Sequence, residues 1–250
     1  ESLDEDEIRT VRQPERRYLT VSRVRLHEMD ALAARVPPFE ARMMLDSFFE
    51  EAADAILENG CTVGSITGES LTGVFGAPRL FADHPLRAVR AACETMAKAA
   101  RLHEGFARQG KEVPPCSIGI WTGETLVGSF GCGAGRHYTA LGTTVQMARD
   151  LSRLARPGEI LLPEDTLLHL LRVLPEGWGQ IRAESEFEPD LSDFQWSGDE
   201  VTPLPEELRK AVYLVGPGID EDAGRAEYYF DYLWAIKVLG QDTPVPVLRV

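Results

Sequence analysis

The stretch Cys61–Gly76, CTVGSITGESLTGVFG, reads as two short strands joined by a turn. Apolar and β-branched residues recur over Cys61 to Ile66 and over Leu71 to Phe75, and Thr67-Gly68-Glu69-Ser70 separates them. A glycine at the tip gives the backbone the freedom that a tight hairpin requires.

Upstream of the hairpin, Met43, Met44, Leu45, Phe48, Phe49, Ala52 and Ile56 recur at helical spacing and predict a helix from about Phe39 to Asn59. Pro37-Pro38 breaks the chain before it and Gly60 stops it. Earlier still, Leu19, Val21, Val24 and Leu26 predict a strand from Tyr18, preceded at 1–17 by a polar linker or the end of an upstream segment. Downstream, Asp83 at an N-cap and Pro85 in the first turn predict a helix to about Gln109. Strands Cys116–Thr122 and Thr125–Phe130 are read on either side of Gly123, followed by a strand His137–Leu141, a helix Thr144–Ala155, a strand Glu159–Leu162 and a helix Pro163–Leu171. Gly131, Gly133 and Gly135 lie between strands and lack the spacing and following helix of a dinucleotide loop. Ser70, Ser117 and Ser129 show no nucleophile elbow. Leu233–Leu239 and Val245–Val250 bracket a closing hairpin. Strands mixed with helices in this way indicate an α+β sandwich.

The chain has 250 residues and a formal net charge of -14, unevenly spread: residues 184–227 hold 13 acidic and only 3 basic side chains. A surface for nucleic acid or an anionic membrane needs clustered Lys and Arg, so both are excluded as general partners. No apolar run approaches the roughly 20 residues of a membrane span. The charged N-terminal sequence predicts no signal peptide and a cytoplasmic setting. Cys61, Cys93, Cys116 and Cys132 stand in no ligand pattern and read as mostly buried thiols in a reducing compartment. The five histidines are equally scattered.

Four segments, in order, carry a resemblance. They are Gly68-Glu69-Ser70-Leu71 leading to Val74-Phe75-Gly76, then Ile118–Gly123, then Tyr138–Gln146, and then Pro157–Leu161. Together they resemble the class III adenylate/guanylate cyclase catalytic domain. The resemblance implies a ferredoxin-like α+β fold over residues 18–250, a mainly antiparallel sheet flanked by helices, with the acidic segment 184–227 as an insertion before the closing hairpin. It implies a dimer with composite sites, in which two aspartates hold two metal ions while further residues read the purine and steady the ribose and the transition state.

At those positions this sequence departs from the family. The first metal aspartate falls on Arg25, or on Arg23 with a two-residue slip, and the second falls on Glu69. The purine-reading lysine falls on Ser65, while the second purine position is Thr139, a residue the family allows. The ribose asparagine falls on Gln146, and the transition-state arginine falls on Asp150 with Arg149 beside it. A phosphate-binding lysine would fall near Leu239, with Lys237 close by. Arginine in place of aspartate turns attraction for a divalent ion into repulsion, at about 4 kcal/mol per unit charge pair at 4 Å in an effective dielectric near 20. The sequence therefore predicts a pseudo-cyclase with no cofactor. It would act as a regulatory and dimerisation module, paired with itself or with another cyclase-like domain. Two alternatives stand beside it. One is a divergent cyclase active with a partner subunit, using magnesium or manganese. The other is a metal-independent nucleotide or anion sensor using Arg23, Arg25 and Lys237, since guanidinium groups bind phosphate directly. For the segment 184–227 the readings are a solvated insertion or a docking element for a basic protein partner, and Lys210–Val215 could add a strand.

Overall fold

Strand alternation sets the layers. The computed structural model describes residues 13–111, 113–132, 137–174, 179–182, 201–203, 211–215, 228–236 and 245–250. These fall into two compact units, the first ending at Ile160 and the second beginning at Leu161.

The first unit opens with β1 (Glu15–Leu26), α1 (Met29–Arg35) and α2 (Pro38–Glu58). The hairpin strands β2 (Thr62–Thr67) and β3 (Ser70–Phe75) follow, and then α3 (His84–Ala107). It continues with β4 (Cys116–Phe130), β5 (His137–Leu141) and α4 (Thr143–Leu154). Its strands lie in the order β2-β3-β1-β4, with β5 on β4, and every pairing is antiparallel. Successive residues of β1 face opposite sides. Ser22 pairs with Gly73, where an added Cβ would stand 2.9 Å from the Ile56 side chain of α2. Arg23 pairs with Gly119, where an added Cβ would stand 2.2 Å from the Ala148 carbonyl of α4. One face thus receives α2 and the other receives α4. Leu19, Val21, Val24, Leu26, Phe48, Leu71, Phe75, Leu86, Ile118 and Ile120 are buried in the core.

The second unit contains β6 (Ile160–Pro163), α5 (Glu164–Arg172) and β7 (Gly179–Arg182), then β8 (Val201–Pro203) and β9 (Ala211–Val215), and ends with β10 (Tyr228–Ile236) and β11 (Val245–Arg249). Its strands run β6-β11-β10-β9-β7, with β8 also on β10. The closing hairpin is present as the antiparallel pair β10 and β11.

Five expectations change. Glu15–Arg17 belong to β1, where they pair with Val127, Leu126 and Thr125, so the linker reading of 1–17 does not hold for them. Cys116–Phe130 is one unbroken strand: Gly123 leaves room for the Thr144 hydroxyl, 2.8 Å from an added Cβ, and does not mark a turn. Asp83 precedes α3 without a side-chain cap and instead holds Arg87 at 2.8 Å. The seven-residue helix α1 is additional. It buries Leu32 against Met44 and Val113. Within 184–227, β9 forms where Lys210–Val215 is read as able to add a strand, and β8 is a further strand that the insertion reading does not contain; both pair with β10. Gly133–Gly135, Lys237 and the rest of 184–227 lie outside the described residues. Cys61 and Cys116 are buried as expected, whereas Cys132 is exposed.

The closest helix-to-sheet approach gives a direct test. Gly119→Ala forces a methyl against the backbone of Ala148 and Ser152, which cannot retreat without moving α4. We expect a loss of about 3 kcal/mol, the upper range for overpacking, read as a lower denaturant midpoint in equilibrium unfolding.

Candidate functional site

The antiparallel register of β1 and β3 places Arg25 opposite Ser70 and Arg23 opposite Thr72. Both arginines share the α4 face with Ser117 and Gly119, their partners on β4. At the hairpin tip, Gly68 has a φ of 55° and turns the chain so that Glu69 meets β1. The Leu26 N–H donates to the Glu69 carbonyl at 2.8 Å, and the Arg25 Nε donates to the Glu69 carboxylate at 2.8 Å. The two positions matched to metal aspartates therefore hold each other.

This pair does not fit a two-magnesium centre. Its single carboxylate is engaged by a guanidinium, and no group of three His, Cys, Asp or Glu side chains that could hold a metal occurs among the described residues. Hard divalent cations need several oxygen ligands, and a fixed positive charge beside them opposes binding.

Arg23 has a different environment. Its guanidinium donates to the hydroxyls of Thr67 at 2.9 Å, Ser70 and Thr72, all on the β2–β3 hairpin. Among the described residues no carboxylate lies within ion-pair distance of it. Burial lowers its pKa, and Arg149 and then Arg153 act in the same direction, with Glu69 opposing.

On α4, the Gln146 amide donates to both Asp150 oxygens, at 3.0 and 3.1 Å. These residues stand one helical turn apart, so the positions matched to the ribose and transition-state contacts satisfy one another. Arg153 lies 4.0 Å from the same carboxylate. Arg149 is half-buried and has no ion pair among the described residues. Ser65 and Thr139, which the resemblance matches to purine contacts, are brought near each other: Ser65 contacts the Thr72 hydroxyl at 3.4 Å, and the Thr139 hydroxyl lies 3.8 Å from a Cβ added at Gly64, next to Ser65. Both are neutral hydroxyls.

Three features escape a reading of motifs. Thr67, Ser70 and Thr72 cradle Arg23, and their alternation along the hairpin is the only sequence signal. Arg153 follows Arg149 at i+4, a spacing that places both on one flank of a helix. The third feature is a relay below the ion pair. The Ser117 hydroxyl is fully buried and donates to the Ser152 carbonyl at 2.7 Å, which uses its only hydrogen. The contact at 2.8 Å with His27 therefore has the Nε2–H donating to Ser117. Burial and then the Arg25 charge lower the His27 pKa from its usual 6.5.

No protein-family profile matches the chain. Two uncharacterized proteins of Mycobacterium tuberculosis, Rv1320c and Rv1318c, are 29% and 27% identical over 157 and 154 residues. The matches cover 61% and 59% of this chain and 26% of each relative, so they span about a quarter of those proteins. Among solved structures, the guanylyl cyclase Cya2 matches with a TM-score of 0.65 at 21% identity, over 94% of this chain and 92% of its own. The adenylyl cyclase CyaB from P. aeruginosa gives 0.66 at 20%, over 95% of each chain. The chain has the class III nucleotide cyclase fold. A dimeric guanylyl cyclase domain from Blastocladiella emersonii, described as non-canonical, shares the cyclase fold with a TM-score of 0.56 at 15% identity, over 94% of this chain and 97% of its own.

Two outcomes follow for this cyclase-fold site. Arg25→Asp places a second carboxylate beside Glu69 and should tighten manganese binding by roughly tenfold or more, because a repulsive charge becomes an attractive one. Calorimetric titration of the variant against the native chain measures this. For His27, a folded-state pKa below that of the unfolded chain means that the unfolded state binds more protons as pH falls. Its contribution to stability is complete above pH 6.5, the unfolded value, and is lost as pH falls toward the lower folded value. Unfolding midpoints followed from pH 7.5 to about 5 should fall less steeply in His27→Gln than in the native chain.

Proposed function

We propose that this chain is a catalytically silent cyclase-fold module that works in signalling by associating with a second cyclase-fold chain, its own copy or another. The observation that carries this reading is the 2.8 Å ion pair between Arg25 and Glu69, the two residues that the resemblance matches to the metal aspartates, which neutralise each other. Two-metal catalysis of phosphoryl transfer depends on cations that offset charge developing at the phosphate. Here the sheet side of the site offers such cations no unpaired carboxylate. The helix side is altered as well, since the position that would present an arginine holds Asp150, itself hydrogen-bonded to Gln146. Loss of a single charge-stabilising donor costs about 100- to 1000-fold in rate, and both sides are changed in this chain. A heterodimer tolerates one defective half-site per subunit, but this chain supplies neither half intact.

The cyclase fold itself supports the association. Sites of this architecture are composite, so a silent chain still offers the surface on which an active partner would complete its own site. The non-canonical dimer of the Blastocladiella domain is a precedent for pairing on this fold.

Purified chain incubated with ATP or GTP, with magnesium and separately with manganese, should yield no cAMP or cGMP above a protein-free control by mass spectrometry. Sedimentation over a range of concentrations should show reversible self-association, or association on addition of an active cyclase-fold chain. Measurable cyclic nucleotide from the chain alone would overturn catalytic silence. A strict monomer that joins no cyclase-fold chain would overturn the association.

A further inference from the structure

Arg23 is a half-buried cation with no anion beside it among the described residues. Its three hydrogen-bond partners, Thr67, Ser70 and Thr72, are neutral. They fix the plane of the guanidinium without cancelling its charge, and a charge held partly out of water without a counter-charge is costly. Two more arginines, Arg149 and Arg153, lie near enough for their positive charges to act on Arg23. Gly119 pairs with Arg23, and a Cβ on Gly119 would stand 2.2 Å from the Ala148 carbonyl and 2.4 Å from the Ser152 nitrogen. Helix α4 thus crosses the sheet beside Arg23. Arg149 and Arg153 each follow one of those contact residues, one helical turn apart on the same flank. The facing carboxylates are already engaged: Glu69 by Arg25, and Asp150 by Gln146 and, at 4.0 Å, by Arg153.

We propose that Arg23, Arg149 and Arg153 form a metal-independent site for a phosphate-bearing anion. The recognition would be direct, with guanidinium N–H groups donating to non-bridging phosphate oxygens. This goes beyond catalytic silence, because a silent module is possible with or without such a site. It also inverts the role of magnesium: a metal-complexed phosphate carries less negative charge and binds the arginines less well.

The test is calorimetric titration of the whole chain, in EDTA, with inorganic tripolyphosphate, ATP and GTP as separate probes. Saturable binding of tripolyphosphate is expected, weakening at least tenfold in the double variant Arg149→Gln with Arg153→Gln, whose two positions are half-buried and exposed on the helix. Arg23→Gln should weaken it similarly, with circular dichroism confirming the fold. Excess magnesium should reduce affinity. A nucleotide that binds no tighter than tripolyphosphate supports a site reading phosphate alone. A nucleotide at least tenfold tighter supports the same site with added contacts to the nucleoside. Absence of saturable binding for all three probes, binding unchanged in the double variant, or binding that requires magnesium would overturn the proposal.

Discussion

The contact of α4 with β4 at Gly119 is the constraint on which the arrangement of the first unit depends. A helix normally rests on a sheet through interleaved side chains. Here the backbone of Ala148 and Ser152 descends to where a Cβ would otherwise be. That descent brings the Ser152 carbonyl within 2.7 Å of the Ser117 hydroxyl, which orders His27 in turn. It also sets the height of Arg149 and Arg153 above β1. One missing methyl group thus positions two layers of polar contacts that no side-chain packing alone would bring together.

The Arg25–Glu69 pair works differently. Both side chains are about a quarter to two-fifths exposed, and a pair this accessible contributes at most about 1 kcal/mol to stability. It does not hold the fold together. Its consequence is electrostatic: two carboxylates on adjacent strands repel unless cations separate them, whereas a guanidinium and a carboxylate need nothing between them. The hairpin tip, pinned by Leu26 to the Glu69 carbonyl, can therefore keep its geometry in the absence of any bound ion.

Much of the first unit is legible in the sequence because local signals agree with the fold. The TGES turn, the helical spacing of Met44, Phe48, Ala52 and Ile56, and the Gly60 stop each act over a few residues, and the structure places all three where the pattern puts them. The misreadings share a cause. Gly123 and Asp83 carry turn and cap chemistry in isolation, but tertiary partners, Thr144 and Arg87, take over. Helix α1 is too short to show a period, and its stability comes from burying Leu32. For the site, motif register locates Arg25, Glu69, Gln146 and Asp150 individually. It does not show that they pair off, because Arg25 meets Glu69 only through the β1–β3 register, and Gln146 meets Asp150 only if both side chains turn along the helix instead of outward.

The α4 face of the sheet is polar around Arg23. Thr72 and Ser70 are buried, at 2% and 5% exposure, in strand positions that apolar residues would ordinarily fill. Had Arg23 only a packing role, an aliphatic residue would serve, but the buried hydroxyls of Ser70 and Thr72 would each then lose a donor, keeping only the Thr67 carbonyl and the Ser65 hydroxyl as partners. The arginine and the hydroxyls therefore depend on one another as a set. Such a set engages the guanidinium through three hydrogen bonds to neutral hydroxyls while leaving its positive charge in place. Hydrogen bonding explains the geometry of Arg23, and the uncancelled charge is the part of its environment that the fold does not account for.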